Sequence, residues 1–276
     1  MAQQLDSATR EALLARVRFY RDLGLTEFYR RPVDPALLAQ LASNPATASE
    51  IFDSTSNPVL AQEERAVPPR KHMPAAPEIA ALVPATERAA ALQLIREEIG
   101  ECTRCALHKG RNKIVFGDGD PAARLMFVGE GPGADEDAQG LPFVGKAGQL
   151  LNNMIAAMGL RREEVYIANV VKCRPPGNRV PEQEEGATCS PFLVRQIDVV
   201  RPQVLVALGA TAATWLLGSR QPLAGLRGRV HSARGIKLIV TYHPAYLLRD
   251  PRQKKEAWAD LQIAMRELGL KPPGKG

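Results

Sequence analysis

The feature that most constrains the fold of this chain is a series of short apolar runs, rich in β-branched residues, that alternate with helical patterns. The runs are RLMFVGE (124–130), VYIANVV (165–171), VLVALG (204–209) and KLIVTYH (237–243). Runs of this length and composition are typical of central strands in a parallel sheet, because such strands are buried on both faces. Helices are predicted after each of them, in residues 146–160, 181–200, 209–218 and 252–268, with clear helical periodicity in the first two. This order predicts a three-layer α/β/α sandwich around a four-stranded, mainly parallel sheet.

Three polar residues stand at or near the ends of predicted strands. They are Glu130, Asn169 and His243. In open α/β sheets, ligands bind beyond the carboxyl ends of the strands, so we expect these side chains to share one edge of the sheet. Asn is depleted within strands, and its amide needs partners when it is buried. Because the amide offers a donor and an acceptor together, Asn169 can read the edge of a nucleobase.

The chain is predicted to have three regions. Residues 1–33 have apolar residues at helical spacing after a candidate N-cap, Asp6 or Ser7, and form an N-terminal helical extension. Residues 34–85 are rich in Pro and Ala and read as a flexible, disordered linker. Residues 86–276 form the globular domain. The extension could tether a partner protein, or be dispensable.

The charge distribution favours a polyanionic partner for the globular part. Residues 1–90 hold 10 basic against 11 acidic residues, whereas residues 91–276 hold 26 against 19. The whole basic excess therefore lies in the globular part, as in nucleic-acid-binding proteins, although ordinary solubility charge explains it equally well. The sequence has no long apolar run and no secretory signal pattern, so we expect a cytoplasmic monomer without membrane attachment.

The glycine-rich stretch GEGPGADEDAQGLPFVG (129–145) matches the dinucleotide-binding fingerprint superficially. Gly129, Gly131 and Ala134 occupy the positions of the G-x-G-x-x-G/A pattern. That pattern requires a helix directly after the glycine turn, whereas the helical pattern here begins at Lys146. Pro132 and the acidic residues at 135–137 also disfavour a phosphate. The stretch is therefore predicted to serve another purpose.

The four cysteines predict a metal site without fixing the metal. Cys102 and Cys105 form a C-x-x-C pair, while Cys173 and Cys189 lie far downstream and 16 positions apart. In a reducing compartment a disulfide framework is not expected. The C-x-x-C pair precedes the first strand, which disfavours a thioredoxin-like redox pair. Structural zinc, an iron–sulfur cluster and buried free thiols stay open on spacing alone.

Several motifs together resemble the family 4 uracil-DNA glycosylases, the iron–sulfur type. They are GEGPGADEDAQGLPFVGKAGQLL, NVVKCRPPGNRVP and TYHPAYLLR, together with the four cysteines. The resemblance covers roughly residues 92–270. It implies an enzyme of base-excision repair that flips uracil out of DNA and hydrolyses its N-glycosidic bond. It also implies a structural [4Fe-4S] cluster on Cys102, Cys105, Cys173 and Cys189.

The resemblance also implies roles for individual residues around the base. Phe143 would stack on the flipped uracil, Asn169 would pair with its N3–H and O4, and His243 would lie against O2. Gly131 stands where the best-known uracil glycosylases have a water-orienting Asp. Glu130 is therefore the first candidate for handling the attacking water, and Glu136 is the second or instead excludes the methyl group of thymine.

Contacts with the DNA duplex are expected from the segment PAYLLRDPRQKK, which follows His243. Leu247 or Leu248 would enter the base stack as a wedge, and Arg249 would hold a phosphate. Lys254 and Lys255 are weaker candidates for phosphate contacts, since they also fit a solvated helix start.

Two other functions are open. Some proteins of the same superfamily crosslink covalently to the abasic product through a histidine in an arginine-rich loop. The corresponding loop here, KCRPPGNRVP, is short and has no histidine. A non-catalytic, polymerase-associated DNA-binding protein is the second alternative. For either function, the N-terminal extension could tether a repair or replication partner.

Overall fold

The computed structural model describes residues 82–271. The predicted N-terminal helix and all but the last residues of the predicted linker lie outside this range. Within it, eight α-helices and six strands follow one another. The helices are α1 (Arg88–Ile99), α2 (Ala134–Gln139), α3 (Lys146–Ala157), α4 (Gln183–Val200), α5 (Ala210–Leu217), α6 (Leu223–Leu226), α7 (Pro244–Arg249) and α8 (Lys254–Leu268). The strands are β1 (Asp118–Gly119), β2 (Leu125–Gly129), β3 (Tyr166–Asn169), β4 (Val204–Leu208), β5 (Val230–Ala233) and β6 (Ile236–Thr241).

The six strands form one sheet in the order β1-β3-β2-β4-β6-β5. The four predicted strands are its centre and run parallel to one another. The expected count of four is too low, because β1 and β5 pair antiparallel with the outer parallel strands. The register places Gly129 opposite Asn169, so the ends of β2 and β3 lie side by side.

Alternate residues of the central strands face two apolar layers. Phe127 of β2 packs in a cluster with Leu151 of α3 and Leu261 of α8. Met126 of the same strand packs on the other face, in a cluster with Ile95 of α1 and Leu193 of α4. Helices therefore cover both faces of the sheet, as the three-layer prediction requires. No helix in residues 82–271 is long and apolar enough to cross a membrane.

Two local predictions are wrong. No helix is expected before Lys146, but a short helix, α2, begins at Ala134 directly after the glycine-rich turn. The start of the helix therefore does not distinguish this turn from a dinucleotide-binding loop. Three of its six residues are acidic and the helix carries no apolar stripe, which is why periodicity does not reveal it. Pro191 predicts a kink or a split in the helical pattern of residues 181–200, but helix α4 continues through it as one helix of 18 residues.

Candidate active site

A cleft of about 850 Å³ lies at the carboxyl ends of the central strands. Its lining includes the predicted site residues Glu130, Gly131, Glu136, Phe143, Asn169, His243 and Arg249. Residues that are 119 positions apart in the chain thus share one cleft, because parallel strands end at the same edge of the sheet. The prediction that Glu130, Asn169 and His243 share one edge of the sheet is therefore correct.

Asn169 presents a buried polar atom without a partner. The residue is the last of β3 and is 1% exposed. Its Oδ1 has no hydrogen-bond partner among residues 82–271. Leaving a buried acceptor unpaired costs about 1–3 kcal/mol. This cost is recovered when a bound ligand donates a hydrogen bond to the oxygen. A Cβ added at Gly129 would lie 2.3 Å from this oxygen, so glycine on β2 makes room for the amide.

Phe143 forms one wall of the same space in a strained backbone conformation. Its φ is +53°, in the left-handed region, which costs about 1–2 kcal/mol for a residue with a side chain. The ring is 5% exposed, and its centroid lies 5.5 Å from that of the His243 ring. A Cβ at Gly129 would also lie 2.6 Å from Phe143 Cζ, so the same glycine accommodates the ring.

Glu136 holds the loop that carries Phe143. Its Oε1 accepts hydrogen bonds from the backbone N–H groups of Val144 (2.9 Å) and Gly145 (3.0 Å). Its Oε2 accepts another from the N–H of Gly133, the N-cap residue of α2, at 3.0 Å. Both carboxylate oxygens are therefore engaged with the backbone of the loop.

The surroundings of His243, which is half-buried, fix the position of its proton. Desolvation and the positive charge of Arg249, opposed by Glu136, lower the pKa of its imidazole to about 4. The ring is therefore neutral at pH 7. Its Nδ1 accepts a hydrogen bond from Ala245 N–H at 3.1 Å, as the N-cap of α7. In a neutral imidazole the other nitrogen then carries the proton, so Nε2–H is a donor.

Glu130 has a partner that sequence reasoning missed. The hydroxyl of Thr211 donates to Glu130 Oε2 at 2.5 Å. Thr211 lies in the first turn of α5, directly after β4, and it lines the cleft. The weak signal available was its place after a central strand, where polar residues often serve a site.

Gly131 lies where a side chain has no room. A Cβ at this position would be 2.7 Å from Val171 Cγ2, in the loop after β3. The glycine therefore keeps the β2 loop close to the β3 loop at the mouth of the cleft.

The predicted DNA-contacting segment forms helix α7. Leu247 is 1% exposed and belongs to the core, whereas Leu248 is 43% exposed. Arg249 lines the cleft. Lys254 and Lys255 are exposed at the start of α8.

The four cysteines are brought together in a second, small cavity. Cys102, Cys105, Cys173 and Cys189 all line it, with apolar walls from Ile99, Ile114 and Phe192. Within residues 82–271 no three His, Cys, Asp or Glu side chains are grouped closely enough to hold a single metal ion. The four thiols nevertheless border one cavity, and a set of four cysteines is a ligand set of both zinc and iron–sulfur sites.

The thiols of the cysteine cavity receive several N–H donors. The guanidinium of Arg111 donates to Cys173 Sγ at 3.3 Å, and that of Arg104 donates to Cys102 Sγ at 3.4 Å. The backbone N–H of Lys172 donates to Cys189 Sγ at 3.3 Å. Such bonds to sulfur suit thiolates that carry negative charge. Without a metal, burial raises the pKa of the Cys189 thiol to about 12.

Lys172 connects the cysteine cavity with the strand that carries Asn169. Its buried ammonium donates to the carbonyl of Asn169 at 2.9 Å and to Gln196 Oε1 at 2.5 Å. Burial lowers the pKa of this amine to about 8. The end of β3 is thus fixed from the side of helix α4.

Comparisons with known proteins agree with this geometry. The profile of the uracil DNA glycosylase superfamily matches residues 116–262. A type-4 uracil-DNA glycosylase of Thermotoga maritima is 48% identical over 161 residues, which are 58% of this chain and 84% of the relative. Those of Archaeoglobus fulgidus and Pyrobaculum aerophilum are 43% and 44% identical, over 65% and 62% of this chain and 94% and 92% of their own. The chain therefore belongs to the uracil-DNA glycosylase superfamily, and within it to the type 4 uracil-DNA glycosylases.

Proposed function

We propose that this protein flips uracil out of DNA and hydrolyses its N-glycosidic bond, which leaves an abasic site for base-excision repair. The single observation that carries the proposal is the buried, unpartnered Oδ1 of Asn169 in a cleft lined by Phe143 and His243. A planar ring with an N–H donor would satisfy that oxygen and stack on the phenyl ring. Uracil has both properties.

Asn169 would distinguish uracil from cytosine. The amide oxygen accepts from uracil N3–H, while the amide NH₂ donates to O4. Cytosine reverses this pattern, because its N3 is an acceptor and its N4 a donor. A cytosine in the cleft would leave buried groups of Asn169 unpaired, and sites of this kind discriminate strongly between substrates.

His243 would stabilise the leaving group. As the glycosidic bond lengthens, positive charge grows on the sugar and negative charge on the departing uracil. A neutral Nε2–H held toward uracil O2 stabilises that anion, and one such donor typically contributes roughly 3 kcal/mol to transition-state stabilisation. The support for this role is the tautomer fixed by the Ala245 N–H bond to Nδ1.

Glu130 is the better candidate for the attacking water. The oxygens of Glu136 already accept three backbone N–H bonds, so this carboxylate is committed to holding the loop. Glu130 lines the cleft, and one hydroxyl, that of Thr211, donates to its Oε2. We assign Glu130 to orienting the water near the sugar and Glu136 to positioning the Phe143 loop.

Leu248 is the better candidate for the wedge in the base stack. It is exposed on α7, whereas Leu247 is part of the core. Extruding a base costs a few kcal/mol, which an apolar wedge and phosphate contacts offset. Arg249, one residue further on and lining the cleft, is assigned to a phosphate.

The cysteine cavity fits a [4Fe-4S] cluster held by Cys102, Cys105, Cys173 and Cys189. The support is a set of four thiols around one cavity, with N–H donors to three of the sulfurs. When bound, the cluster supplies a cross-link between three distant segments of the chain. No step of the reaction needs it.

The experiment that tests the function also tests the two alternatives. Oligonucleotides that contain uracil, thymine or hypoxanthine are incubated with the protein, treated with alkali and separated on a denaturing gel. We expect strand cleavage at uracil and no slowly migrating adduct. A stable protein–DNA adduct would instead support the crosslinking alternative. Uracil-DNA binding without any cleavage would support the non-catalytic one.

A further inference from the structure

The loop that carries Phe143 is held by a second charged residue, Arg162, which neither the motifs nor the proposed mechanism includes. Arg162 lies in the short 3₁₀ segment Arg162–Glu164, between α3 and β3. Its Nη2 donates to the carbonyl of Pro142 at 2.5 Å, and its Nη1 donates to the carbonyl of Phe143 at 3.0 Å. One guanidinium thus binds two successive carbonyls of the loop, at the residue with φ of +53°.

The guanidinium is itself held in place. Nη1 also donates to Asn152 Oδ1 on α3 at 2.9 Å, and Nη2 lies 3.7 Å from Asp118 Oδ2 on β1. The Arg162 side chain is 20% exposed, so these contacts are partly shielded from water. Planar guanidinium groups suit this task because their donors form a fixed fork.

The loop is therefore fastened from both sides of Phe143. Glu136 accepts from the N–H groups of Val144 and Gly145, after the ring, while Arg162 donates to the carbonyls at Pro142 and Phe143. A left-handed conformation at a phenylalanine persists only when its surroundings impose it. Glu136 and Arg162 together supply that constraint.

We propose that Arg162 is a positioning residue that holds Phe143 in its strained conformation and so presets the ring for stacking on the base. The stacking of Phe143 on a substrate base rests on the proposed function. The positioning of Phe143 by Arg162 does not, and it can be measured without substrate. Arg162 acts through Phe143, so its effect must vanish when the ring is absent.

The matched control is the neighbouring residue, Arg161. Its side chain is 76% exposed and pairs with Glu164 within the same 3₁₀ segment. Arg161→Gln removes the same charge one position away and leaves the loop carbonyls with their donors. Arg162→Lys keeps the charge but cannot span both carbonyls, which tests the fork separately from the charge.

The first measurement is fluorine NMR of the full chain labelled with fluorophenylalanine. The chain has seven phenylalanines, and Phe143→Leu identifies the resonance of Phe143. We expect one sharp Phe143 line in the wild type and in Arg161→Gln, and a shifted or broadened line in Arg162→Gln. An unchanged Phe143 line in Arg162→Gln would overturn the proposal. Circular dichroism verifies folding, and Arg162→Lys replaces the glutamine variant if that variant is unfolded.

The second measurement is the single-turnover rate on a uracil-containing oligonucleotide. Loss of one or two charge-assisted hydrogen bonds predicts a rate roughly ten- to a hundredfold lower for Arg162→Gln, with Arg161→Gln within about twofold of wild type. In a Phe143→Ala background, Arg162→Gln should add less than about twofold. An equal loss in both backgrounds would overturn the proposal. A wild type that releases no uracil while the NMR result holds would refute the proposed function and leave the positioning role standing.

Discussion

Two glutamates line the cleft, and their hydrogen bonds separate their roles. Glu136 is bound to three backbone N–H groups and acts on the loop. Glu130 is bound by a side-chain hydroxyl from another strand–helix junction, that of Thr211. A carboxylate held by one short bond keeps a defined orientation, which is what a group that orients water requires.

Thr211→Val should therefore slow uracil release without weakening DNA binding. Losing one hydrogen bond to a charged group predicts a roughly tenfold or larger fall in the single-turnover rate. Thr211→Ser keeps the hydroxyl and should restore most of the rate. Thr214→Val is the matched control, because Thr214 lies on the same helix and donates to the Ala210 carbonyl. A rate for Thr211→Val equal to that of the control would remove Thr211 from the mechanism.

The lowered pKa of the half-buried His243 imidazole predicts an unusual pH dependence. Its pKa in the folded protein is about 4, below the ordinary value of 6.5. The unfolded chain binds a proton below pH 6.5 and the folded chain does not, so His243 lowers stability as the pH falls from about 6.5 toward 4. Protonation would also break the Ala245 N–H bond to Nδ1. Single-turnover rates should therefore show no His243-dependent change from pH 8 to about 5.5, and fall near pH 4. A fall in the single-turnover rate with a midpoint near pH 6.5, present in the wild type and absent in His243→Gln, would contradict this.

The predictability of single residues depended on their place in the chain. Asn169 and His243 could be predicted because the first ends β3, the second comes just after β6, and both lie in recognisable motifs. Thr211 and Arg162 could not, since their partners lie 81 and 20 positions away and both residue types are common in any role. The choice between Glu130 and Glu136 likewise needed the structure, because only the hydrogen bonds distinguish them.

At the scale of elements, helix α3 packs directly on the Phe143 loop. Gly148 of α3 faces the carbonyl of Phe143, and a Cβ there would lie 1.9 Å from that oxygen. The helix and the loop can approach this closely only because the side chain is absent. The helix, the Arg162 segment after it and the loop thus form one packed unit.

Gly148→Ala should damage both stability and activity by forcing this unit apart. Overpacking costs about 1–3 kcal/mol, which corresponds to a loss of roughly 3–10 °C in Tm for a domain of this size. Uracil release should fall as well, because the Phe143 ring moves with the loop. Gly225→Ala is the control, since a Cβ there meets nothing within 4 Å. Equal Tm values for the two variants would show that the contact is unimportant.

Among the elements, the four central strands were predictable because a strand that is buried on both faces has a continuous run of apolar residues. The edge strands were not. Strand β1 has two residues, too few for a pattern, and β5 alternates in burial and contains His231 and Ser232. Helix α4 passes Pro191 because most of its stability comes from packing against the core, which outweighs the lost backbone bond.

At the scale of the whole molecule, the four cysteines bring three separate segments of the chain to one cavity. Cys102 and Cys105 follow α1, Cys173 follows β3, and Cys189 lies within α4. A cluster on these residues would close a long loop of chain, as a disulfide does. The cross-link lies outside the cleft, so its effect should be on stability first.

Chelation of iron under reducing conditions should lower the Tm of the protein. A cross-link worth about 2–4 kcal/mol corresponds to roughly 5–15 °C for a domain of this size. Iron content measured in parallel should fall from about four per chain. Cys173→Ser, which lacks one ligand, serves as the control and should respond weakly. Iron loss without any change in Tm would refute the structural role.

The central claim is that the buried amide of Asn169 selects uracil for excision. It is tested most directly by mass spectrometry of the free bases released from an oligonucleotide with one uracil among normal bases. The account predicts that the wild-type protein releases uracil and no cytosine or thymine, and that Asn169→Ala releases uracil roughly a hundredfold or more slowly. Release of uracil by Asn169→Ala at the wild-type rate, or release of cytosine by the wild type, would contradict it.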